Sequence, residues 1–193
     1  MTTVETLATY MGTKITGGAM VFIASSGAIS DGTASVQFRA QDGHFDATKF
    51  DHYVFYFQHV VPSTDDVLAL MQTSTNDGSA YASTSGNYHN NGTNDKSGLV
   101  VTYATVGSSS NEYGISGPFH LYSPHTTSAY TYSFSSVVFI DDSAGIRSGS
   151  HDDPNKGSTV RLAAEDVDAV KFLFASGNIE SGEIVMYGIA NGT

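Results

Sequence analysis

Hydrophobic and polar positions alternate along most of this chain in short runs, separated by clusters of Ser, Asn, Gly and Asp. Over residues 34–39, Val36 and Phe38 share one face and Gln37 and Arg39 the other, the pattern of a half-buried strand. Residues 51–60 form the strongest segment. Tyr53, Phe55 and Phe57 lie on one face, and Val54, Tyr56 and Val60 on the other. Apolar residues on both faces predict a central strand or one covered by another chain. Pro62, which has no ladder donor, ends it. Further strands are predicted at 20–24, 67–71, 99–104, 118–122, 130–140 and 159–162, with Asn76-Asp77-Gly78 as a tight turn. Two apolar runs, 170–175 and 184–189, flank a turn cluster at 176–182 and predict a closing hairpin. The only helical hint is one turn at 162–167.

Two stretches dense in Ser, Asn, Asp and Gly, 83–97 and 141–157, read as long exposed loops. Residues 1–18 are weakly patterned and read as an N-terminal arm, which leaves 19–193 as the folded domain. About ten short strands with almost no helix predict an all-β chain: a single antiparallel β-sandwich, jelly-roll-like.

Composition narrows the function. Lys and Arg total 8 against 19 Asp and Glu, a net charge of −11, so phosphate backbones and anionic lipid are repelled; no nucleic-acid partner and no membrane insertion are expected. The apolar runs are strand-sized, short of the ~20 residues that span a bilayer. The start of the chain lacks a basic and then apolar leader pattern, so synthesis in a cytoplasm is expected. The absence of cysteine removes disulfide scaffolds, thiolate metal sites and cysteine nucleophiles.

Candidate chemistry is sparse. The histidines, His44, His52, His59, His89, His120, His125 and His151, form no standard metal spacing. Asp65-Asp66, Asp141-Asp142 and Asp152-Asp153 are paired carboxylates of the kind that can hold Ca²⁺ in a loop; the second and third pairs share one loop, which makes Asp141, Asp142, Asp152 and Asp153 the calcium candidates. Otherwise no cofactor is expected. A glycosidase needs two facing carboxylates, one kept protonated. Glu180 and Glu183 sit at a turn where exposure would ionise them, and no G-x-S-x-G nucleophile motif is present, so no enzyme is expected. Tyr81, Tyr88, Tyr113, Tyr122, Tyr130 and Tyr132 could stack on sugar rings or pack in sheet faces and subunit contacts. Tyr88, Asn90, Asn91 and Tyr113 are the candidate partner- or ligand-contacting residues.

Several segments in order carry a family resemblance. They are Phe50-Asp51-His52-Tyr53-Val54-Phe55, Val60-Val61-Pro62, the turn from Thr73 to Ser79, Gly114-Ile115-Ser116-Gly117 and Leu121-Tyr122-Ser123-Pro124. The most specific is Phe172-Leu173-Phe174-Ala175-Ser176-Gly177-Asn178-Ile179, with Ser181-Gly182 and Tyr187-Gly188-Ile189. From residue 45 onward the chain resembles a family of tailed-bacteriophage virion structural proteins with a jelly-roll-like β-sandwich. Glu180 and Glu183 depart from it, at turn positions where relatives often carry small or hydroxylated residues. The resemblance implies a virion structural protein without catalytic residues, found in the virion after synthesis in the host cytoplasm. It implies a homotrimer or larger symmetric assembly, in contact with other virion proteins such as the major capsid protein. A head decoration or cement subunit is the expected placement, because the chain is short and lacks a fibre shaft and tryptophan. A tail fibre or baseplate component binding a host glycan is the alternative, and a carbohydrate-active enzyme a remote one.

Overall fold

In a β-rich chain of this kind every second side chain can be buried, so each alternating run needs a second sheet to cover its apolar face. A computed structural model describes residues 18–90, 93–141, 145–148 and 158–191 and shows how that cover is supplied. The strands in chain order are β1 (Met20–Ser25), β2 (Val36–Arg39), β3 (Phe50–Pro62), β4 (Ala69–Ser74), β5 (Tyr88–Asn90), β6 (Thr93–Lys96) and β7 (Leu99–Val100). They continue with β8 (Ile115–Tyr122), β9 (Tyr132–Ser135), β10 (Val138–Ile140), β11 (Ile146–Ser148), β12 (Ser158–Arg161), β13 (Ala169–Phe174) and β14 (Ile179–Ala190). Among the described residues the one helical element is a 3₁₀ turn, Ala40–Asp42.

Eight of these strands pair as β1 with β14, β2 with β13, β3 with β8 and β4 with β7, all antiparallel. That nesting is what results when a two-armed ribbon is wound onto itself, β1 to β4 on one arm and β7, β8, β13 and β14 on the other. The pairs β14 with β3 and β13 with β4 then close two sheets, β1-β14-β3-β8 and β2-β13-β4-β7. This is a jelly roll, as the alternation predicts. Two insertions widen the first sheet. One, β5-β6, lies between β4 and β7; the other, β9 to β12, lies between β8 and β13. The sheet order becomes β1-β14-β3-β8-β9-β12-β5-β6, with the β10-β11 hairpin attached to β8 through Val138 and Ser116.

The core lies between the two sheets. Tyr53, Phe55 and Phe57 of β3, Phe119 and Leu121 of β8, and Ile184 and Met186 of β14 face Val170, Phe172 and Phe174 of β13. Strand β3 is central, between β14 and β8, as its two apolar faces predict.

Four sequence expectations are corrected. The runs at 170–175 and 184–189 are joined by a turn but do not pair: β13 lies in the smaller sheet and β14 in the larger, so the turn crosses the sandwich. The same holds for β3 and β4. In a wound ribbon, consecutive strands change sheets because each must bury its apolar face from the opposite side. The stretch 83–97 is not simply a loop, since it contains β5 and β6, and 130–140 divides into β9 and β10. Residues 162–167 form no helix: Val167 donates to the Pro124 carbonyl, and the segment serves as a strap to β13. The expected arm, apart from Gly18, lies outside the described residues.

Candidate functional site

The alternation that fills the core also fixes what the other face of the larger sheet presents. On β1, β14 and β3 the outward residues are aromatic and aliphatic. Phe22 meets Tyr187 edge to face with ring centroids 6.0 Å apart, and Tyr187 meets Tyr56 in the same way at 6.0 Å. Val54 and Val185 lie beneath them, buried between these rings. Phe22 is 58% exposed and Met20 51%, unusually high for side chains of this type.

Across β3, β8 and β9 the outward face continues with His52, His120, Tyr122 and Phe134. His52 stacks on Tyr122 at 4.3 Å, and its Nε2 lies 3.0 Å from Nδ1 of His120. Phe134 closes over His120 at 6.3 Å, and Tyr132 extends the face at 50% exposure. Burial against these rings pushes both histidines below their ordinary range, and for His52 the neighbouring His120 adds to the effect. This pair was not foreseen, because its members are separated by 68 positions. The signal that could have found it is phase. His52 alternates in register with Val54 and Tyr56, and His120 with Tyr122, so both belong to outward faces.

The smaller sheet shows the opposite character. Its outward face carries Gln37, Arg39 and Lys171, with Tyr81 laid over them: the Tyr81 hydroxyl bonds Gln37, and the Lys171 ammonium lies 4.6 Å from the Tyr81 ring centre. One side of the sandwich is therefore polar and already covered, and the other is aromatic and open.

A second feature sits where β3 bulges. Between Phe57 and Val60 the register slips, and His59 takes φ 48, the left-handed region. The bulge and the β10-β11 hairpin form the walls of a groove of about 310 Å³ whose lining includes His59, Tyr113, Ser116, Phe139 and Ile146. Tyr113 is 69% exposed and Ile146 74%.

The candidate ligand residues are thus dispersed. Tyr113 is exposed at this groove. Tyr88 is fully buried, and its hydroxyl donates to the Ala82 carbonyl and accepts from the Thr73 amide, so its expected place on an exposed loop is corrected. The reason is that 88–90 is a strand whose first residue points inward beside Arg161. Asn90 is half-buried in β5, and Asn91 lies outside the described residues. Of the calcium candidates, Asp141 accepts from the Gly145 amide at 2.8 Å and pairs with Arg147 at 2.6 Å, which commits its carboxylate to the β10-β11 hairpin. Asp142, Asp152 and Asp153 lie outside the described residues. Among the described residues no three His, Asp or Glu side chains converge as a metal site requires.

One polar chain, running from the surface at Asp166 into the core at Tyr53, has the order of a catalytic relay. Asp166 accepts from Nδ1 of His125 at 3.0 Å, and Nε2 of His125 accepts from the Tyr53 hydroxyl at 2.9 Å. That hydroxyl in turn accepts from the Asp46 amide at 3.0 Å. Tyr53 is fully buried, and burial raises its phenol far above the ordinary range. A hydroxyl without access and without ionisation does not attack a substrate, so the chain reads as a brace between β3 and the loops at 46 and 125. Tyr53→Phe is expected to cost about 1–3 kcal/mol, because it leaves the Asp46 amide and Nε2 of His125 unpaired. Urea unfolding would show it as a lower midpoint at unchanged slope; an unchanged midpoint would remove the brace.

The fold and these surfaces define an all-β, jelly-roll sandwich protein with an open aromatic face and a groove at the β3 bulge. No family model, curated protein or solved structure matches the chain. No helix among the described residues is long and apolar enough to cross a membrane.

Proposed function

We propose that the chain is a structural subunit of a tailed-bacteriophage particle, set on the outer surface of the head as a decoration or cement subunit. The observation that carries this reading is the nested pairing of β1 to β14, β2 to β13, β3 to β8 and β4 to β7, an architecture recurrent in viral capsid domains. By itself that is an analogy of fold. The residue resemblance along Phe172 to Ile179 gives it a direction, and the open aromatic face gives it a physical use, since a subunit built into a particle has partners to cover such a face. Its partners would be further copies of itself and the major capsid protein. A cryo-EM map of particles produced with the chain present should place its sandwich on the capsid surface. Particles whose purified proteins lack the chain by mass spectrometry would overturn the proposal.

A second reading is favoured by the groove beside Tyr113: a tail fibre or baseplate component that holds a host-surface glycan. An exposed tyrosine beside an apolar trough is a platform for a sugar ring. On this reading the protein binds a glycan array and Tyr113→Ala weakens that binding at least tenfold. No binding by the intact protein would remove this reading and leave the head placement standing.

A further inference from the structure

The open face of the larger sheet has a chemistry unlike the rest of the molecule. Its outward positions from Met20 and Phe22 across Tyr187, Tyr56 and His120 to Phe134 carry no Asp, Glu, Lys or Arg, although the chain has 27 such residues in its 193. Of the carboxylates of the same strands, Asp51 and Glu180 lie at strand starts, and Glu183 shares the outward phase of Val185 and Tyr187 at the border of the patch, where it accepts a hydrogen bond from Ser25.

We propose that this face docks on the same face of a second copy of the chain, forming a two-fold pair in which the Phe22–Tyr187–Tyr56 cluster and the His52–His120–Tyr122 cluster are buried. The proposal deepens the reading of the chain as an assembling subunit by naming the face and the partner. Charge selects the partner. Each copy carries a net charge of −11, so two copies repel over most approaches; the uncharged face lets them meet without pressing carboxylates together. Docking on an acid-bearing surface of its neighbour would desolvate carboxylates, whereas a self-complementary contact of this face avoids that cost.

Size agrees. Five strands spaced about 4.8 Å apart, with outward positions running about 20 Å along β3, project on the order of 500 Å². Side-chain relief raises the accessible area toward the roughly 600–800 Å² per partner of a specific interface. Two sheets meeting in this way pack about 10 Å apart with their rings interleaved.

The histidine pair gives the contact a pH dependence. A bond from ring to ring across 3.0 Å requires at least one lone pair, so it survives with both rings neutral and is lost when both are protonated. The groups facing the pair are the Tyr122 ring from β8, the Phe134 ring from β9 and the Ile189 side chain from β14; the one charge acting on His52 is that of His120. Among the described residues no carboxylate acts on the pair to compensate. Protonation therefore puts positive charge into an apolar contact. Since burial lowers both histidines, the pair is whole above about 6.5, the ordinary value, and weakens as the pH falls below it.

The test is sedimentation velocity on the full chain at pH 8 and pH 5, for the wild type, Phe22→Lys, Tyr56→Lys and the His52→Gln/His120→Gln double variant. The expected wild-type result is twice the chain mass, or an even multiple of it, at micromolar concentration and pH 8. Each lysine variant should weaken association by roughly 100-fold or more, because an ammonium is desolvated without a partner. Both positions are exposed, and an unchanged far-UV spectrum would confirm that the variants fold. The wild type should associate more weakly at pH 5 than at pH 8, and the histidine double variant should not show that difference. A wild type that stays monomeric at pH 8 overturns the pairing and counts against the assembling-subunit reading. An oligomer that ignores both lysine substitutions, or a trimer, overturns the pairing alone.

Discussion

Gly114→Ala is expected to abolish the native fold or to lower its stability by roughly 4 kcal/mol or more, a large share of the 5–15 kcal/mol typical of a domain. Gly114 has φ +63, and a Cβ there would come within 2.2 Å of the Val60 carbonyl oxygen and 2.8 Å of the Val61 Cα. Those are backbone atoms of β3 and cannot rotate aside. Gly182 repeats the situation from the β14 side, with φ +116 and a Cβ 2.6 Å from both the His59 oxygen and the Val60 Cα. The two glycines clasp the bulge of β3 from either side, which allows β3 to slip register while remaining paired to β8 and β14. Gly27 is the matched control. Its φ is +64, nearly that of Gly114, but nothing lies within 4 Å of its Cβ position. Gly27→Ala therefore carries the conformational term alone, about 1–2 kcal/mol. Urea midpoints for the two variants separate strain from collision. Equal losses would mean that the close approach at the bulge contributes nothing. The result also bears on the groove, since Gly114 and the left-handed His59 shape one of its walls.

The extent to which this fold was legible depends on distance along the chain. The alternation in residues 34–39 and 51–57 assigns strands and faces correctly, because period and burial are local properties, whereas Val60, expected on the face of Val54 and Tyr56, turns into the core because the bulge after Phe57 shifts the phase. The turn around Gly177 was equally visible, and there the Asn178 amide bonds the Ser63 hydroxyl and Ser63 donates back to the Asn178 carbonyl. What the turn signal lacked was a destination. A cluster such as Ser176-Gly177-Asn178 reverses the chain whether the next strand pairs with the last or crosses to the opposite sheet. Only contacts at long range, such as Ile184 with Phe57 and Phe172 with Met71, decide which.

The candidate site divides in the same way. Tyr113 was found because it stands in a polar stretch. Tyr88 was misplaced because three residues, Tyr88–Asn90, are too short to show alternation and are flanked by Ser and Asn. His52 and His120 were counted but not joined, since their contact depends on the β3–β8 register.

Phe172→Ala is expected to be the most damaging substitution of a side chain in the core. Phe172 comes from β13, in the smaller sheet, and its ring meets Phe55 at 4.8 Å and Phe57 at 5.2 Å on β3 and Phe119 at 6.0 Å on β8. It also touches Phe38 of β2 at 6.4 Å within its own sheet. All of these contacts are edge to face, so the ring contributes quadrupole attraction as well as buried area. Truncation removes the transfer term and leaves a cavity between two sheets held by their own ladders, which cannot collapse into it. The cost is about 3–5 kcal/mol, or a fall of roughly 6–20 °C in Tm for a domain of this size. Lys171, the preceding residue, points to the other side of the same strand. Lys171→Ala gives up only its contact with the Tyr81 ring, about 0.5–1 kcal/mol. Thermal unfolding of the two variants should therefore differ several-fold; comparable shifts would mean that the core is not organised around this ring. The comparison also reaches the outer face. Phe55 and Phe57 face inward on β3 while Val54 and Tyr56 face outward, so the packing of Phe172 beneath sets the backbone from which Tyr56 projects. A Phe172→Ala chain that still folds at low temperature should associate more weakly than the wild type, although no residue of the outer face has been touched.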